Sequence, residues 1–262
     1  MADPDPSQYN DFAQLYRDVV EVGTPCAEVE RPAVLKMLGP IDGAEILDAA
    51  CGSGPLIAAL SRSGARVCGF DGSPAMVELA RERLGNEPDL RVHDLSSPLP
   101  YGDRSFDAVV CSLAIHYVRH WTPVLREFRR VIRAEGRVLS THHPFRVIDG
   151  AAGLYLETTR IDDVWDLNGT PVPISYWRRP FQSMASAAQR AGLMIRRLSE
   201  LDIGGSGQPH FLLLLLHPDV EAGDAATGSE VAPSRHADTP TGARTTSPRS
   251  TSASKRSDPS QT

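Results

Sequence analysis

Between residues 44 and 143 short apolar runs alternate with amphipathic stretches. Ile46-Leu47, Val67-Cys68-Gly69-Phe70, Leu90-Arg91-Val92, Phe106 to Cys111 and Arg137 to Thr141 are brief, rich in aliphatic residues and bounded by turn-formers. That is the pattern of parallel strands buried on both faces. Between them the spacing predicts helices, one opening at Leu56, one from Ser73 to Leu84 and one from Pro123 to Arg133. The second of these begins with a serine cap and a proline at its first position. Ile195 to Leu201 and His210 to Leu216 read as two further strands. The expected fold is α/β: a doubly wound, mostly parallel seven-stranded sheet with helices on both faces. Ahead of it, Tyr9 to about Leu38 is helical in pattern, with Tyr9, Phe12, Tyr16 and Val19-Val20 spaced to face one side.

The alternation breaks between Phe145 and Phe181. Tyr155 to Arg160 and Val172 to Trp177 are β-like, and Asn168-Gly169 between them is a two-residue hairpin signal. The sheet does not need this hairpin, and insertions above the C-terminal strand ends are where such folds build ligand sites. Two readings stand: a substrate cap, with Tyr155, Trp165, Tyr176 and Trp177 lining an acceptor pocket, or an edge ribbon whose aromatics pack. From about Glu221 the chain is dominated by Ser, Thr, Pro, Gly and Ala, a composition that buries no core. The expected organisation is an N-terminal helical segment over 1–40, a main domain over 41–220 with the hairpin inserted at 145–181, and a disordered tail over 221–262.

A formal net charge of −6 argues against a nucleic-acid backbone as partner. Cys26, Cys51, Cys68 and Cys111 have no paired metal-type spacing and suit buried, reduced thiols. His116 and His120 share a helical face, but no third ligand accompanies them, so no metal is expected. The acidic N-terminal residues do not resemble a signal peptide, and the longest apolar run, Phe211 to Leu216, is too short to span a bilayer. The expectation is a cytoplasmic protein without membrane insertion.

The chemistry concentrates in Ile46-Leu47-Asp48-Ala49-Ala50-Cys51-Gly52-Ser53-Gly54-Pro55-Leu56. A strand ends in an acid, turns through two glycines and opens a helix, which aims free N–H groups at whatever lies above it. A dinucleotide loop carries a third glycine three residues after the second, where this chain has Ile57. Asp48 would repel a pyrophosphate and attract an ammonium. S-adenosylmethionine, which carries an ammonium and a sulfonium and no phosphate, suits this loop better. Asp71 ends the next strand about twenty residues on, where nucleoside-binding folds place the acceptor for the ribose diol. Asp94 ends the third strand, placed either to accept from the adenine amino group or to cap the turn before Pro98.

With these stretches in order, ILDAACGSGPL, VCGFDGSPAMVELA, RVHDLSSPLP, SFDAVVCSLAIHYV and VLREFRRVIRAEGRVLS, the chain resembles the class I S-adenosylmethionine-dependent methyltransferases. The resemblance is closest to their small-molecule branch of the ubiquinone and menaquinone biosynthesis type. It covers residues 40 to 145 in motif detail. It departs at Ala50, where glycine is usual, and at Glu135-Gly136, where Pro-Gly is commoner. The resemblance implies methyl transfer to a small molecule, an O, N or C nucleophile being left open. The alternative is a cofactor-binding or partner-binding domain of this fold without turnover. It implies a cofactor set of Asp48, Ala50, Gly52, Gly54, Asp71, Gly72, Met76, Asp94, Leu95 and Ser112, and an N-terminal lid. Related O-methyltransferases carry a histidine near His116 as general base, and an imidazole titrates in the right range for that task. A histidine bonded to backbone at a helix start is the other reading of His116. His142 and His143, ending the fifth strand, are further candidates, of which only one can point inward.

Overall fold

The computed structural model of the chain describes residues 4–21, 23–85, 88–142, 155–203, 205, 207 and 209–219. The expected tail over 221–262 lies outside the described residues, as does His143. The expected sheet is present. Its strands are β1 (Glu45–Ala49), β2 (Arg66–Asp71), β3 (Leu90–Val92), β4 (Phe106–Ser112) and β5 (Ile132–His142), followed after the hairpin strands β6 (Thr159–Leu167) and β7 (Thr170–Arg178) by β8 (Leu193–Asp202) and β9 (Pro209–Pro218). The seven strands lie in the order β3-β2-β1-β4-β5-β9-β8. β1 to β5 pair in parallel, while β9 runs against both β5 and β8.

Alternation along the strands explains why both faces are covered. Leu47, Val109, Cys111, Leu212, Leu214 and Leu216 pack in one core with Leu125 and Phe128 of α5 (Trp121–Val131) and Met184 of α6 (Phe181–Arg190). Their neighbours Ile46, Ala108, Val110, Phe211, Leu213 and Leu215 pack in the other, with Val34 of α2 (Arg31–Leu38) and Leu56 and Leu60 of α3 (Pro55–Arg62). A run of leucines on β9 is therefore a strand with two buried faces. α4 (Pro74–Leu84) starts as expected, Ser73 Oγ accepting from Met76 N at 3.2 Å. Among the described residues no helix is long and apolar enough to cross a membrane.

Two expectations are corrected. The N-terminal segment is not one helix: after a 3₁₀ turn at Asn10–Phe12 and α1 (Ala13–Val20), it breaks and restarts as a wide turn, Cys26–Glu30, that runs into α2. Gly23 at φ 66° and Pro25, which lacks an N–H, interrupt the ladder between them. In the hairpin, β6 begins at Thr159 rather than Tyr155. Asn168 (φ 57°) and Gly169 (φ 85°) fix a two-residue turn, and counting back from it pairs Thr159 with Arg178, the last residue of β7. Tyr155 to Thr158 are turn and irregular structure ahead of β6.

The turn after β1 has positive φ at Ala50 (64°), Gly52 (54°) and Gly54 (78°). Alanine pays for that conformation about 1–2 kcal/mol of steric strain, which is why glycine is usual at its position. At Gly54 the limit is also space, since an added Cβ would lie 2.7 Å from Leu84 Cδ1 and 3.3 Å from Ala80 Cβ on α4. Substitutions in one loop should therefore have opposite signs. Ala50→Gly should stabilise by roughly 0.5–1 kcal/mol, after the entropy glycine adds to the unfolded chain. Gly54→Ala should destabilise by about 2–4 kcal/mol. Urea titration of the two variants measures both.

Candidate active site

At the C-terminal ends of β1 to β4, where the strand order reverses between β1 and β4, the structure encloses a cavity of ≈350 Å³. Open α/β sheets bind ligands at this switch point. Its floor is the loop after β1, with Asp48, Ala50, Cys51, Gly52 and Ser53, and the strand-end residues Asp71, Gly72, Asp94, Leu95 and Ser112. Met76 of α4 forms part of the wall. The roof is the N-terminal segment, including Pro6, Tyr9, Tyr16, Glu21, Glu30 and Arg31.

The carboxylates differ in what they hold. Asp71 accepts from Gly52 N through Oδ2 and from Ser73 N through Oδ1, each at 2.9 Å. Asp94 accepts from Ser96 N at 2.9 Å and from Ser96 Oγ at 2.7 Å, so it caps its own turn while facing the cavity. Asp48 is buried, and its Oδ2 has no hydrogen-bond partner among the described residues. Burial, then repulsion from Asp71 and Glu30, pushes the Asp48 carboxyl up to about 8. Burial raises Asp71 to about 6, with its two backbone donors opposing. Glu30 is raised by burial too. A cavity built this way is short of positive charge.

The roof is fastened at several points. Glu21 accepts from Ser53 Oγ in the cofactor-type loop and pairs with Arg83 of α4 at 2.5 Å, and Arg83 donates to Ser53 O at 3.0 Å. Ser73 Oγ donates to Asn10 Oδ1 at 2.6 Å. Ser175 N of β7 donates to Gln8 Oε1 at 3.2 Å, joining hairpin and roof. Gly72 lies under Pro6, whose O would be 2.8 Å from an added Cβ.

A second cavity, ≈460 Å³, lies between roof and hairpin. Tyr9, Tyr16, Val20, Cys26, Leu113 and Tyr117 belong to the walls of both cavities. Val164, Trp165, Asp166 and Leu167 of the hairpin complete the second. Tyr9 and Tyr117 share a hydrogen bond of 2.5 Å between their hydroxyls. Tyr16 stacks on Trp165 with ring centroids 6.5 Å apart. Burial holds the Tyr9 and Tyr117 hydroxyls well above the usual phenol range, so both stay protonated at neutral pH.

The cavity brings together Asp48, Ala50, Gly52, Asp71, Gly72, Met76, Asp94, Leu95 and Ser112. Gly54 is not in its lining, because that glycine serves the packing of α3 on α4. His116 lies in the 3₁₀ turn Ile115–Tyr117 and lines neither cavity; its ring packs 4.4 Å from that of Tyr117 and 5.9 Å from Tyr176. His142 is core, its ring edge-on to Trp121 at 5.4 Å and its backbone paired with Leu212. Of the hairpin aromatics, Trp165 lines the second cavity, while Tyr176 and Trp177 line neither of these two. Tyr155 is exposed, and Trp177 is buried under the Arg119 guanidinium, 5.0 Å from its ring. Glu21, Glu30, Arg31 and Tyr117 are site residues that pattern reading did not single out. The signal available for the first three was Gly23-Thr24-Pro25, which breaks the helix and turns its ends inward.

Residues 47–140 match the family model of the methyltransferase domain. A demethylmenaquinone methyltransferase of Tropheryma whipplei is 34% identical over 128 residues, which are 48% of this chain and 54% of that protein. The chain thus spans about half the length of this curated relative. Among solved structures, an S-adenosylmethionine-dependent methyltransferase from Mesorhizobium loti superposes with a TM-score of 0.58 at 21% identity, covering 72% of this chain and 98% of that one. A Burkholderia thailandensis 1,6-didemethyltoxoflavin-N1-methyltransferase, solved with bound 1,6-didemethyltoxoflavin and S-adenosylhomocysteine, superposes with a TM-score of 0.55 at 19% identity, covering 79% of this chain and 85% of that one. At these identities the two structures share the fold.

The raised carboxyls have a measurable consequence for the ligand-free protein. Asp48 and Asp71 titrate near the ordinary 3.8 when unfolded and near 8 and 6 when folded, so the folded state holds more protons between those values. Their contribution to stability is fully present below about pH 4 and is lost as pH rises through about 6 and 8. The melting temperature of Asp48→Asn should therefore rise relative to the parent between about pH 5 and about pH 8. Calorimetric scans that give both proteins the same pH slope would contradict this account.

Proposed function

We propose that this chain, which belongs to the class I S-adenosylmethionine-dependent methyltransferases, transfers a methyl group from S-adenosylmethionine to a small-molecule acceptor. The observation that carries the reading is the buried, unpartnered Asp48 Oδ2 on a cavity at the sheet's switch point. A carboxylate left so is relieved by a cation, and the cofactor is cationic at its reactive end. A pyrophosphate would instead meet Asp48, Asp71 and Glu30. Ile57, where a dinucleotide loop has glycine, is fully buried against Val77 and Ala80.

The residues present fit the cofactor part by part. Asp71 retains acceptor capacity for a ribose diol beyond its two backbone donors. Asp94 suits the adenine amino group, and Leu95 and Met76 supply apolar walls for the base. Asp48 faces the charged end. When bound, the cofactor supplies a methyl group already activated for displacement. The chain's task is then to position the acceptor and exclude water.

The second cavity is the acceptor's place in this reading, since it meets the first across Tyr9, Tyr16 and Tyr117. Tyr9 and Tyr117, protonated and hydrogen-bonded to each other, orient polar groups of the acceptor rather than remove a proton. A flat, largely apolar acceptor, of the kind the demethylmenaquinone methyltransferases among its relatives are named for, suits walls of Tyr16, Trp165 and Leu167. A base role for His116 would be exercised from behind Tyr117 and is needed only for an acceptor that keeps its proton at neutral pH.

Calorimetry should show S-adenosylmethionine and S-adenosylhomocysteine binding and NAD not binding. Asp71→Ala should weaken both by about 1.5–3 kcal/mol, the scale of hydrogen bonds to a charged group. Transfer of an isotopically labelled methyl from the cofactor into a metabolite extract tests turnover. Heat from NAD and none from the sulfur ligands would overturn the proposal.

A further inference from the structure

The break in the N-terminal segment brings two consecutive, oppositely charged residues to the main cavity. Glu30 ends the wide turn and Arg31 opens α2, and both line the cavity whose floor holds Asp48. Glu30 is 3% exposed. Its Oε1 accepts from Ser112 Oγ at 2.7 Å and from Thr141 Oγ1 at 2.6 Å, hydroxyls at the ends of β4 and β5. Both bonds fall on the same oxygen, and they hold the carboxylate in one orientation against the sheet.

Packing alone gives no reason for this arrangement. A buried carboxylate is costly to desolvate, and Ser112 and Thr141 would be satisfied by a neutral side chain. Glu30 also faces Asp48, so that two acidic groups share one cavity and Asp48 Oδ2 is left without a partner. Beside them the Arg31 guanidinium has no hydrogen bond or ion pair among the described residues, although it sits next to two carboxylates. Two acids and one base, all turned to one enclosed space, complement a zwitterion: an ammonium between the acids and a carboxylate on the guanidinium.

We propose that Glu30 and Arg31 read the α-amino-acid end shared by the sulfonium cofactor and its thioether product, Glu30 with Asp48 taking its ammonium and Arg31 its carboxylate. The inference rests on the cofactor reading above and deepens it. Because Glu30 and Arg31 belong to the roof and Asp48 to the floor, the amino-acid end ties roof to sheet. Recognition of that end and closure of the roof are then one event. A ligand with the same adenine, ribose and sulfur but no amino acid, such as 5′-methylthioadenosine, fills the nucleoside site and leaves the roof unanchored.

The test compares S-adenosylhomocysteine with 5′-methylthioadenosine on the full chain, by calorimetry and by hydrogen exchange over residues 13–38. The parent protein should favour S-adenosylhomocysteine, and that ligand alone should protect the roof from exchange. Glu30→Gln and Arg31→Gln should each weaken S-adenosylhomocysteine by about 10- to 100-fold and change 5′-methylthioadenosine by less than about 2-fold. Equal weakening of both ligands would make Glu30 a structural plug and overturn the proposal, as would equal affinity of the parent for both. Arg31→Gln, on a partly exposed residue at a helix start, decides the matter if Glu30→Gln does not fold. If the parent bound neither ligand, the cofactor reading would fall and this inference with it.

Discussion

Asp71 accepts one backbone N–H from the turn after β1 and one from the start of α4. Through these two bonds a single carboxylate at the end of β2 sets the distance between the loop, the neighbouring strand and the next helix. The loop can comply only by left-handed steps at Ala50, Gly52 and Gly54. Gly54 must also lie against α4 closely enough that no Cβ fits. The cavity above is the space this arrangement leaves.

The electrostatics follow from the same geometry. Parallel strands that end together bring Asp48, Asp71 and, from the roof, Glu30 to one small volume. Burial weakens solvent screening there, so like charges repel and ionisation is opposed. The fold accepts that cost at its functional end, while the two apolar cores on either side of the sheet carry stability. The exposed pairs elsewhere, such as Arg66 with Glu45, contribute little by comparison. A cationic ligand reverses the sign at the cavity, because each carboxylate that repelled its neighbours now attracts the occupant. Affinity for such a ligand is in this sense prepared by the unfavourable state of the empty protein.

The strands were legible because burial on both faces leaves unbroken apolar runs, and β9 is the clearest case. The hairpin was legible at its turn, where Asn168-Gly169 admits positive φ. Its first strand was not, because Tyr155 to Arg160 looks extended but pairing is counted from the turn. Motif spacing located Asp48, Asp71 and Asp94, since their positions depend on strand ends that the pattern already fixes. Glu30 and Arg31 were hidden by a helical periodicity that runs through Gly23-Thr24-Pro25 without registering the break. His116 shows the complementary limit: sequence placed it near the strand end, but the fold packs its ring on Tyr117, which lines both cavities, and leaves His116 out of both linings. Trp177, equally aromatic in sequence, packs under Arg119 while Trp165 faces a cavity, a difference set by the alternation of the hairpin and its twist.

In the proposed function, acceptor choice belongs to elements the sheet does not require. The roof supplies Tyr9 and Tyr16, the hairpin supplies Trp165 and Leu167, and the two are joined by Ser175 and Gln8. None of these residues belongs to the two cores on the faces of the sheet. Tyr9 links both functions, since its hydroxyl meets Tyr117 on the shared wall while its ring packs on Tyr16 and Phe12. A displacement of the roof therefore alters both cavities together. In the proposed reading the cofactor end, through Glu30 and Arg31, and the acceptor end, through Tyr9 and Tyr16, act on one segment that is broken at Gly23. That break lets the segment fold back so that Tyr9, Tyr16, Glu21 and Glu30 all line one cavity; in a single straight helix Tyr9 and Glu30 would lie about 30 Å apart along the axis.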